Sequence, residues 1–112
     1  MDEKLKKALD FANYNHTLFN QKKLAYQDFL DNCVHYCNAG KFTINTQLIA
    51  FVSGVTTKEL ILLDDNNVPV KITNVDAFSK EIKKIYATQL ENYYKKYTEL
   101  TSNKTVQGII NE

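Results

Sequence analysis

The residue types that could hold a metal ion are concentrated in one segment of this 112-residue chain, Cys33-Val34-His35-Tyr36-Cys37. In the helix that we predict here, the two thiols share one face, as a pair of zinc ligands could. A structural zinc site needs four ligands, however, and His35 would point about 200° around the axis from Cys33. We therefore predict that Cys33 and Cys37 pack as small apolar side chains, with no metal and no other cofactor. The alternative is a metal site shared between chains.

Two cysteines give no disulfide framework, so we expect a reducing, intracellular setting.

Catalytic chemistry has even less support in the sequence. The adjacent acids Asp64 and Asp65 lack the alternating acids and central glycine of a calcium loop, so we interpret them as a solvated hairpin turn. Both histidines, His16 and His35, fall on the predicted first helix, and the chain has three glycines and no glycine-rich loop. We predict that the protein is not an enzyme and has no catalytic residues.

Composition and charge narrow the classes of partner. All 14 basic residues are lysine, and arginine, the bidentate ligand of phosphate, carboxylate and guanine, is absent. The formal net charge is +1 and is spread evenly along the chain, so nucleic acid is an unfavoured partner. No apolar run approaches the roughly 18 residues of a membrane span. The opening residues MDEKLKKALD also have no apolar stretch behind them, so we expect neither a signal peptide nor a membrane partner.

One basic and aromatic segment keeps nucleic-acid binding open as an alternative function. The residues that could stack on bases and contact phosphates there are Lys83, Lys84, Tyr94, Lys95 and Lys96. Against this interpretation, Tyr86, Tyr93 and Tyr97 follow the predicted core stripe of the same helix, and neighbouring acids dilute the basic face.

The first element predicted is a helix over about residues 2–39, because apolar side chains recur there every three or four residues. The main stripe is Leu5, Leu9, Ala12, His16, Phe19, Lys23, Tyr26, Leu30, Cys33 and Cys37, and a second stripe beside it is Ala8, Phe11, Leu18, Ala25 and Phe29. A break near Asn13–His16 is the alternative, since asparagine competes for backbone hydrogen bonds. We expect Gly40 to cap the C-terminal end of the helix.

The middle of the chain predicts short elements, over about residues 41–72. Residues 41–44 alternate as a strand does, and Asn45 or Thr46 can cap a short helix over Gln47–Ser53 that Gly54 closes.

A hairpin is expected to follow. The apolar run Leu60–Leu63 predicts a strand covered on both faces, and Asp64–Asn67 has the residue types of a turn. The next strand, Val68–Ile72, belongs at an edge because Pro69 has no N–H to donate. A third strand is added if residues 41–44 join the other side of residues 60–63.

A second long helix is predicted over about residues 75–101, capped by Asn74 or Asp76 and followed by a flexible tail over 102–112. The fold class expected is therefore α+β and mostly α, as a single domain over residues 1–112. Two long terminal helices flank a short helix and a small antiparallel hairpin.

Such a short chain does not offer enough surface to cover the wide apolar arc of the first helix, so we predict self-association or a protein partner. The side chains assigned to that interface are Leu5, Leu9, Phe11, Leu18, Phe19, Tyr26 and Leu30.

Several segments in this order resemble a family of small proteins encoded by T4-like tailed phages of marine bacteria. The segments are FANYNHTLFNQKK, GKFTI, LIAFV, LLDDNNVPVKI, IKKIYATQLENYYKKYTEL and KTVQGII. The family has no assigned activity or binding residues. The resemblance implies a phage origin and an accessory role in virion assembly or structure. It also implies a location in the cytoplasm of the infected bacterial host or in the virion, with another phage protein as a candidate partner.

Overall fold

The computed structural model describes the backbone of residues 2–110 and the side chains of residues 2–102. The fold is α+β and mostly α, as predicted: two long helices flank a short helix and small antiparallel strands. The elements in chain order are α1 (Glu3–Asn32), β1 (Val34–Cys37), β2 (Gly40–Thr43), α2 (Thr46–Ser53), β3 (Leu60–Leu63), β4 (Pro69–Ile72) and α3 (Val75–Ile110).

These elements form two compact units. The helical unit combines the chain up to Phe29 with the chain from Asn92 onward, and the mixed unit comprises Leu30–Glu91. The single domain over residues 1–112 stays a prediction.

The first helix is shorter than predicted and has no break at Asn13–His16. It ends at Asn32 rather than near residue 39, because the following residues pair as a hairpin. Strands β1 and β2 are antiparallel, with Val34 opposite Thr43, and the Ile44 N–H extends the ladder by donating to the Cys33 carbonyl (2.8 Å). Val34–Cys37 therefore each face a residue of β2, which a continued helix would not allow.

The predicted helix cap at Gly40 is wrong, because the turn of this hairpin precedes it. Asn38 and Ala39 have φ of 49° and 68°, so two consecutive residues adopt the left-handed conformation of a type I′ turn. Gly40 is the first residue of β2, not a cap, and its lack of a side chain serves packing. A Cβ at Gly40 would lie 2.7 Å from Cγ2 of Val70.

The predicted N-terminal cap of the short helix α2 is confirmed. The Asn45 side chain accepts a hydrogen bond from the Leu48 N–H (2.8 Å), and Gly54 follows the helix with a right-handed φ of −84°. The Gly54 N–H bonds the last carbonyls, so no left-handed residue is needed at this end.

The predicted hairpin over residues 60–72 is also confirmed, with Leu63 opposite Pro69 and Leu60 opposite Ile72. The three-stranded sheet is wrong: β2 pairs with β1, and the described strands form two separate two-stranded sheets. Coverage of β3 on both faces is wrong as well, because Ile61 and Leu63 are exposed. A two-stranded sheet buries only one face, which here includes Val70 and Ile72 of β4.

The core of the mixed unit forms where the two hairpins meet the first turns of α3. Its buried side chains include Cys33, Phe42, Ile44, Val52, Val70, Ile72, Val75, Phe78 and Ile82. The Phe78 ring lies edge-on to Phe42, with 5.5 Å between the ring centroids, which is a favourable aromatic geometry.

In the helical unit, α1 and α3 contact each other through a narrow stripe. Leu18, Ala25 and Leu100 form a buried cluster with Tyr93 packed against it. Phe29 stacks on the Tyr93 ring at 5.5 Å.

Helix α3 begins as predicted and continues further than predicted. The Asn74 side chain accepts a hydrogen bond from the Ala77 N–H (3.1 Å), which confirms its role as N-cap. The predicted end near residue 101 is wrong, since the backbone is helical to Ile110. The segment 102–110 contains no proline, so nothing sterically ends the helix there. Residues 111 and 112 of the predicted tail lie outside the described residues.

Candidate interaction surface on the first helix

Helix α1 buries only part of one predicted apolar stripe, whose Phe11 is 61% exposed, and leaves the large apolar side chains of the other stripe exposed. Leu18, Ala25 and Phe29, from the narrower of the two predicted stripes, are the buried residues of this helix. Phe19 belongs to the main stripe and is 65% exposed, although it follows Leu18 directly. Consecutive helical residues lie about 100° apart around the axis, so the contact with α3 that buries Leu18, Ala25 and Phe29 leaves Phe19 exposed.

Six of the seven predicted interface residues are exposed and large. They are Leu5, Leu9, Phe11, Phe19, Tyr26 and Leu30, with exposed fractions between 40% and 65%. Leu18 is instead 6% exposed and belongs to the core of the helical unit, so it is not available to a partner. Leu30 lies in the mixed unit, and the other five lie in the helical unit.

Aromatic contacts fix one edge of this exposed surface. The Tyr26 ring lies 5.7 Å from Tyr93 and 6.2 Å from Phe29, so one side of Tyr26 is packed while 48% of the residue stays exposed. The Lys22 ammonium lies 5.0 Å from the centre of the Tyr97 ring, a distance typical of a cation–π contact. Tyr26 and Lys22 of α1 thus contact Tyr93 and Tyr97 of α3 within the helical unit.

Sequence reasoning missed two sets of exposed apolar residues. Leu24 of α1 is 64% exposed and lies off both stripes. In the mixed unit, Ile61, Leu63 and Val68 of the second hairpin are exposed. The hairpin itself gave a signal, since antiparallel sheets commonly leave one face open to solvent.

The predicted nucleic-acid residues are divided between the two units. Lys83 and Lys84 are exposed in the mixed unit, whereas Tyr94, Lys95 and Lys96 are exposed in the helical unit. Tyr94 is 67% exposed, as expected for a tyrosine off the core stripe.

The two cysteines do not share a helix face as predicted. Four residues of extended chain span about 13 Å, so Cys33 and Cys37 are too far apart to bind one ion together. Burial raises the pKa of the Cys33 thiol, which keeps it protonated and apolar in the core. The prediction that Cys33 packs as a small apolar side chain therefore agrees with its position.

His35 and Cys37 line an open cavity of about 330 Å³ beside the start of α3. The His35 ring lies 5.6 Å from that of Phe78, measured between the ring centroids, and Glu81 also lines the cavity. Among the described residues, no group of three or more His, Cys, Asp or Glu side chains is placed to hold a metal ion.

Asp64 and Asp65 join the two hairpins rather than forming a solvated turn. The Asp64 carboxylate accepts hydrogen bonds from the N–H groups of Val68 and Asn66 (2.9 Å each) and Lys41 (3.4 Å). These bonds, led by that from Val68, lower the pKa of Asp64 and outweigh its burial, which raises it.

Asp65 makes the second connection between the hairpins. Its carboxylate accepts from both the backbone N–H (2.9 Å) and the hydroxyl (2.6 Å) of Thr43, and its own N–H donates to the Lys41 carbonyl (2.8 Å). Both carboxylates are thus engaged in holding β2 against the turn of the second hairpin.

Comparison with models of known protein families, with curated proteins and with solved structures finds no match for this chain. None of the helices within residues 2–110 has the length and apolar content needed to cross a bilayer.

Proposed function

We propose that this protein is a non-enzymatic assembly or structural protein that acts by self-association through α1. The observation that carries the proposal is the exposure of large apolar side chains along this one helix. Leu5, Leu9, Phe11, Phe19 and Tyr26 are all at least 45% exposed within the helical unit. Burying such side chains against a partner releases about 25 cal/mol per Å² of apolar surface.

Two residues with reactive groups, Cys33 and Asp64, have structural roles, which favours a non-enzymatic function. The Cys33 thiol is buried in the core of the mixed unit, and the Asp64 carboxylate accepts three backbone hydrogen bonds. Our proposal assigns the protein to virion assembly or structure in a T4-like phage, in the infected host cytoplasm or the virion. This part rests on the resemblance of its sequence segments to that phage family.

Light scattering behind a sizing column, at micromolar concentrations, tests self-association. We expect a mass of at least twice the 12.9 kDa of the single chain. Phe19→Glu places a charge on the exposed apolar stripe and should return the mass to that of the monomer. Leu24→Glu is the matched control, because Leu24 has nearly the same exposure on the same helix (64% against 65%) but lies on another face. A monomeric wild-type protein would contradict the proposal, and so would equal effects of the two substitutions.

A nucleic-acid accessory function is the second candidate, and the 67% exposure of Tyr94, off the core stripe, favours it. Single strands bound there would stack a base on the Tyr94 ring and contact lysines through phosphates, so affinity would fall steeply with salt. Fluorescence anisotropy with a labelled oligonucleotide tests this function. Tyr94→Ala should weaken binding, whereas Tyr36→Ala, which removes a 71% exposed tyrosine from the first hairpin, should not. Binding that is insensitive to both Tyr94→Ala and salt would exclude this function.

A further inference from the structure

The cavity beside the start of α3 lies wholly within the mixed unit. Its volume of about 330 Å³ is near the lower end of the range found for small-ligand sites. Three segments form its walls: the end of β1 with the turn that follows, the end of β4 with its connection to α3, and one face of α3. A ligand in this cavity would therefore contact both the first hairpin and α3.

The charge of the cavity favours a positively charged ligand. Glu81 lines it, whereas none of the described residues around it is a lysine. The Glu81 side chain is exposed and has no ion-pair or hydrogen-bond partner within the part of the chain that the structure describes. A carboxylate without a counter-ion attracts a cation and repels an anion, so phosphates and carboxylates are unsuitable ligands here.

A second acceptor at the cavity is the side-chain oxygen of Asn38. The amide nitrogen of Asn38 donates to the Lys71 carbonyl (2.7 Å), which fixes the orientation of the amide group. Its oxygen has no hydrogen-bond partner among the described residues and can accept from a ligand. The cavity thus has a carboxylate and an amide oxygen for a ligand that carries N–H donors.

The lining residues distinguish an organic cation from a metal ion. Within the described residues, no group of three or more His, Cys, Asp or Glu side chains is placed to hold a metal. Ile72, Ala77 and Phe78 instead give the cavity an apolar wall, which suits the carbon atoms of an organic ligand. A primary ammonium group has three N–H donors and requires no rigid shell of ligands.

We propose that this cavity binds a small organic cation, a primary ammonium group on a short alkyl chain. The ammonium pairs with the Glu81 carboxylate and donates to the Asn38 side-chain oxygen, while the alkyl chain lies against Ala77 and Phe78. The site contains no residue of α1, so it does not depend on self-association through that helix.

Titration of the full-length protein with butylammonium at pH 8, followed by amide NMR spectra, tests the site. The amine is charged at this pH, since alkyl ammonium groups titrate near about pH 10.4. We expect saturable shifts of the Ala77 and Phe78 amide signals, with a Kd on the order of 1 mM. Butanol has the same chain without the charge and should bind about tenfold more weakly. Signals that do not shift, or equal affinity for butanol, would overturn the proposal.

A change of charge at Glu81 tests the ion pair. Glu81→Gln keeps the shape of the side chain and should weaken butylammonium binding about tenfold, because the charge-assisted hydrogen bond is lost. Asp76→Asn is the matched control, since it removes the same charge from an exposed position of the same helix that does not line the cavity. Equal weakening by the two substitutions would reveal general attraction to acidic residues and would contradict the site.

A change of volume at Ala77 tests the location independently of charge. Ala77→Leu enlarges an exposed side chain of the cavity wall, so the protein should stay folded, as circular dichroism can verify, while butylammonium binding is lost. An affinity that Ala77→Leu leaves unchanged would place the amine outside this cavity and refute the proposal.

Discussion

Ala39 has a backbone conformation that its side chain disfavours. Its φ of 68° lies in the left-handed region, where a Cβ costs about 1 kcal/mol relative to glycine. The preceding Asn38 tolerates the same region, and its side-chain amide donates to the Lys71 carbonyl (2.7 Å). The turn therefore persists because Asn38 and the paired strands hold it, not because Ala39 favours it.

We predict that Ala39→Gly increases the free energy of unfolding by about 0.5–1 kcal/mol. Urea denaturation followed by circular dichroism measures the change. Ala87→Gly, at an exposed position in the middle of α3, should have the opposite sign and reduce stability by about 1 kcal/mol. A lower free energy of unfolding for Ala39→Gly would contradict the conclusion that Ala39 is strained in the turn.

Asp64 links the stability of the mixed unit to pH. Because its pKa is lowered in the folded protein, the carboxylate stabilises the fold at pH values above its unfolded pKa of about 3.9. This contribution is lost as the pH falls through the folded pKa. An uncharged side chain at this position would make no such contribution at any pH.

We therefore expect Asp64→Asn to lower the urea midpoint at pH 7, with a difference from wild type that narrows as the pH falls below about 4. Urea titrations at pH 7 and at pH 3 measure the two differences. Asp10→Asn, on the exposed surface of α1, should leave the midpoint nearly unchanged at both pH values. If the urea midpoints of Asp64→Asn and the wild type differ equally at pH 7 and at pH 3, the charge of Asp64 is not the cause of the stabilisation.

At the scale of elements, the helix caps were predictable because they depend on neighbours in the sequence. Asn45 and Asn74 each bond an N–H three residues ahead, an interaction that needs no tertiary contact.

We predict that Asn74→Ala reduces the free energy of unfolding by about 1 kcal/mol, since the Ala77 N–H loses its acceptor at the start of α3. Thermal unfolding measures the loss. Asn92→Ala, an exposed substitution in the interior of the same helix, removes no cap and should slightly increase stability. Equal effects of the two substitutions would contradict the capping role.

The end of α1 was not predictable, because the pattern of residues 33–37 fits two periods. Cys33 and Cys37 are four residues apart, as on a helix face, but Cys33, His35 and Cys37 also alternate as on a strand. Pairing with Gly40–Thr43 decides between them, since it supplies hydrogen-bond partners for the backbone of β1 while Phe42 of β2 is buried.

For the whole molecule, self-association predicts that stability depends on protein concentration. A dimer that dissociates on unfolding gains stability by mass action, so its Tm should rise by about 3 °C for each tenfold increase in concentration. Calorimetry over a hundredfold range measures the slope. Phe19→Glu should abolish it, whereas Leu24→Glu should retain it. A Tm that is independent of concentration for the wild type would contradict a stable dimer.

The sequence by itself determined the features that depend on local chemistry. Periodic apolar residues defined the two long helices, asparagines began α2 and α3, and the Leu60–Ile72 hairpin followed from an apolar run, turn residues and Pro69.

Tertiary structure alone decided which stripe of α1 is covered. Both stripes are apolar, and the contacts of Leu18 and Ala25 with Leu100, with Tyr93 packed against them, select the narrower one. It also decided that Asp64 joins the two hairpins, because its bonds from Asn66 and Val68 are local to its own turn, whereas its bond from the Lys41 N–H requires the first hairpin to pack there. The physical reason is the same in both cases: these choices depend on contacts between residues distant in the chain, which local spacing does not encode.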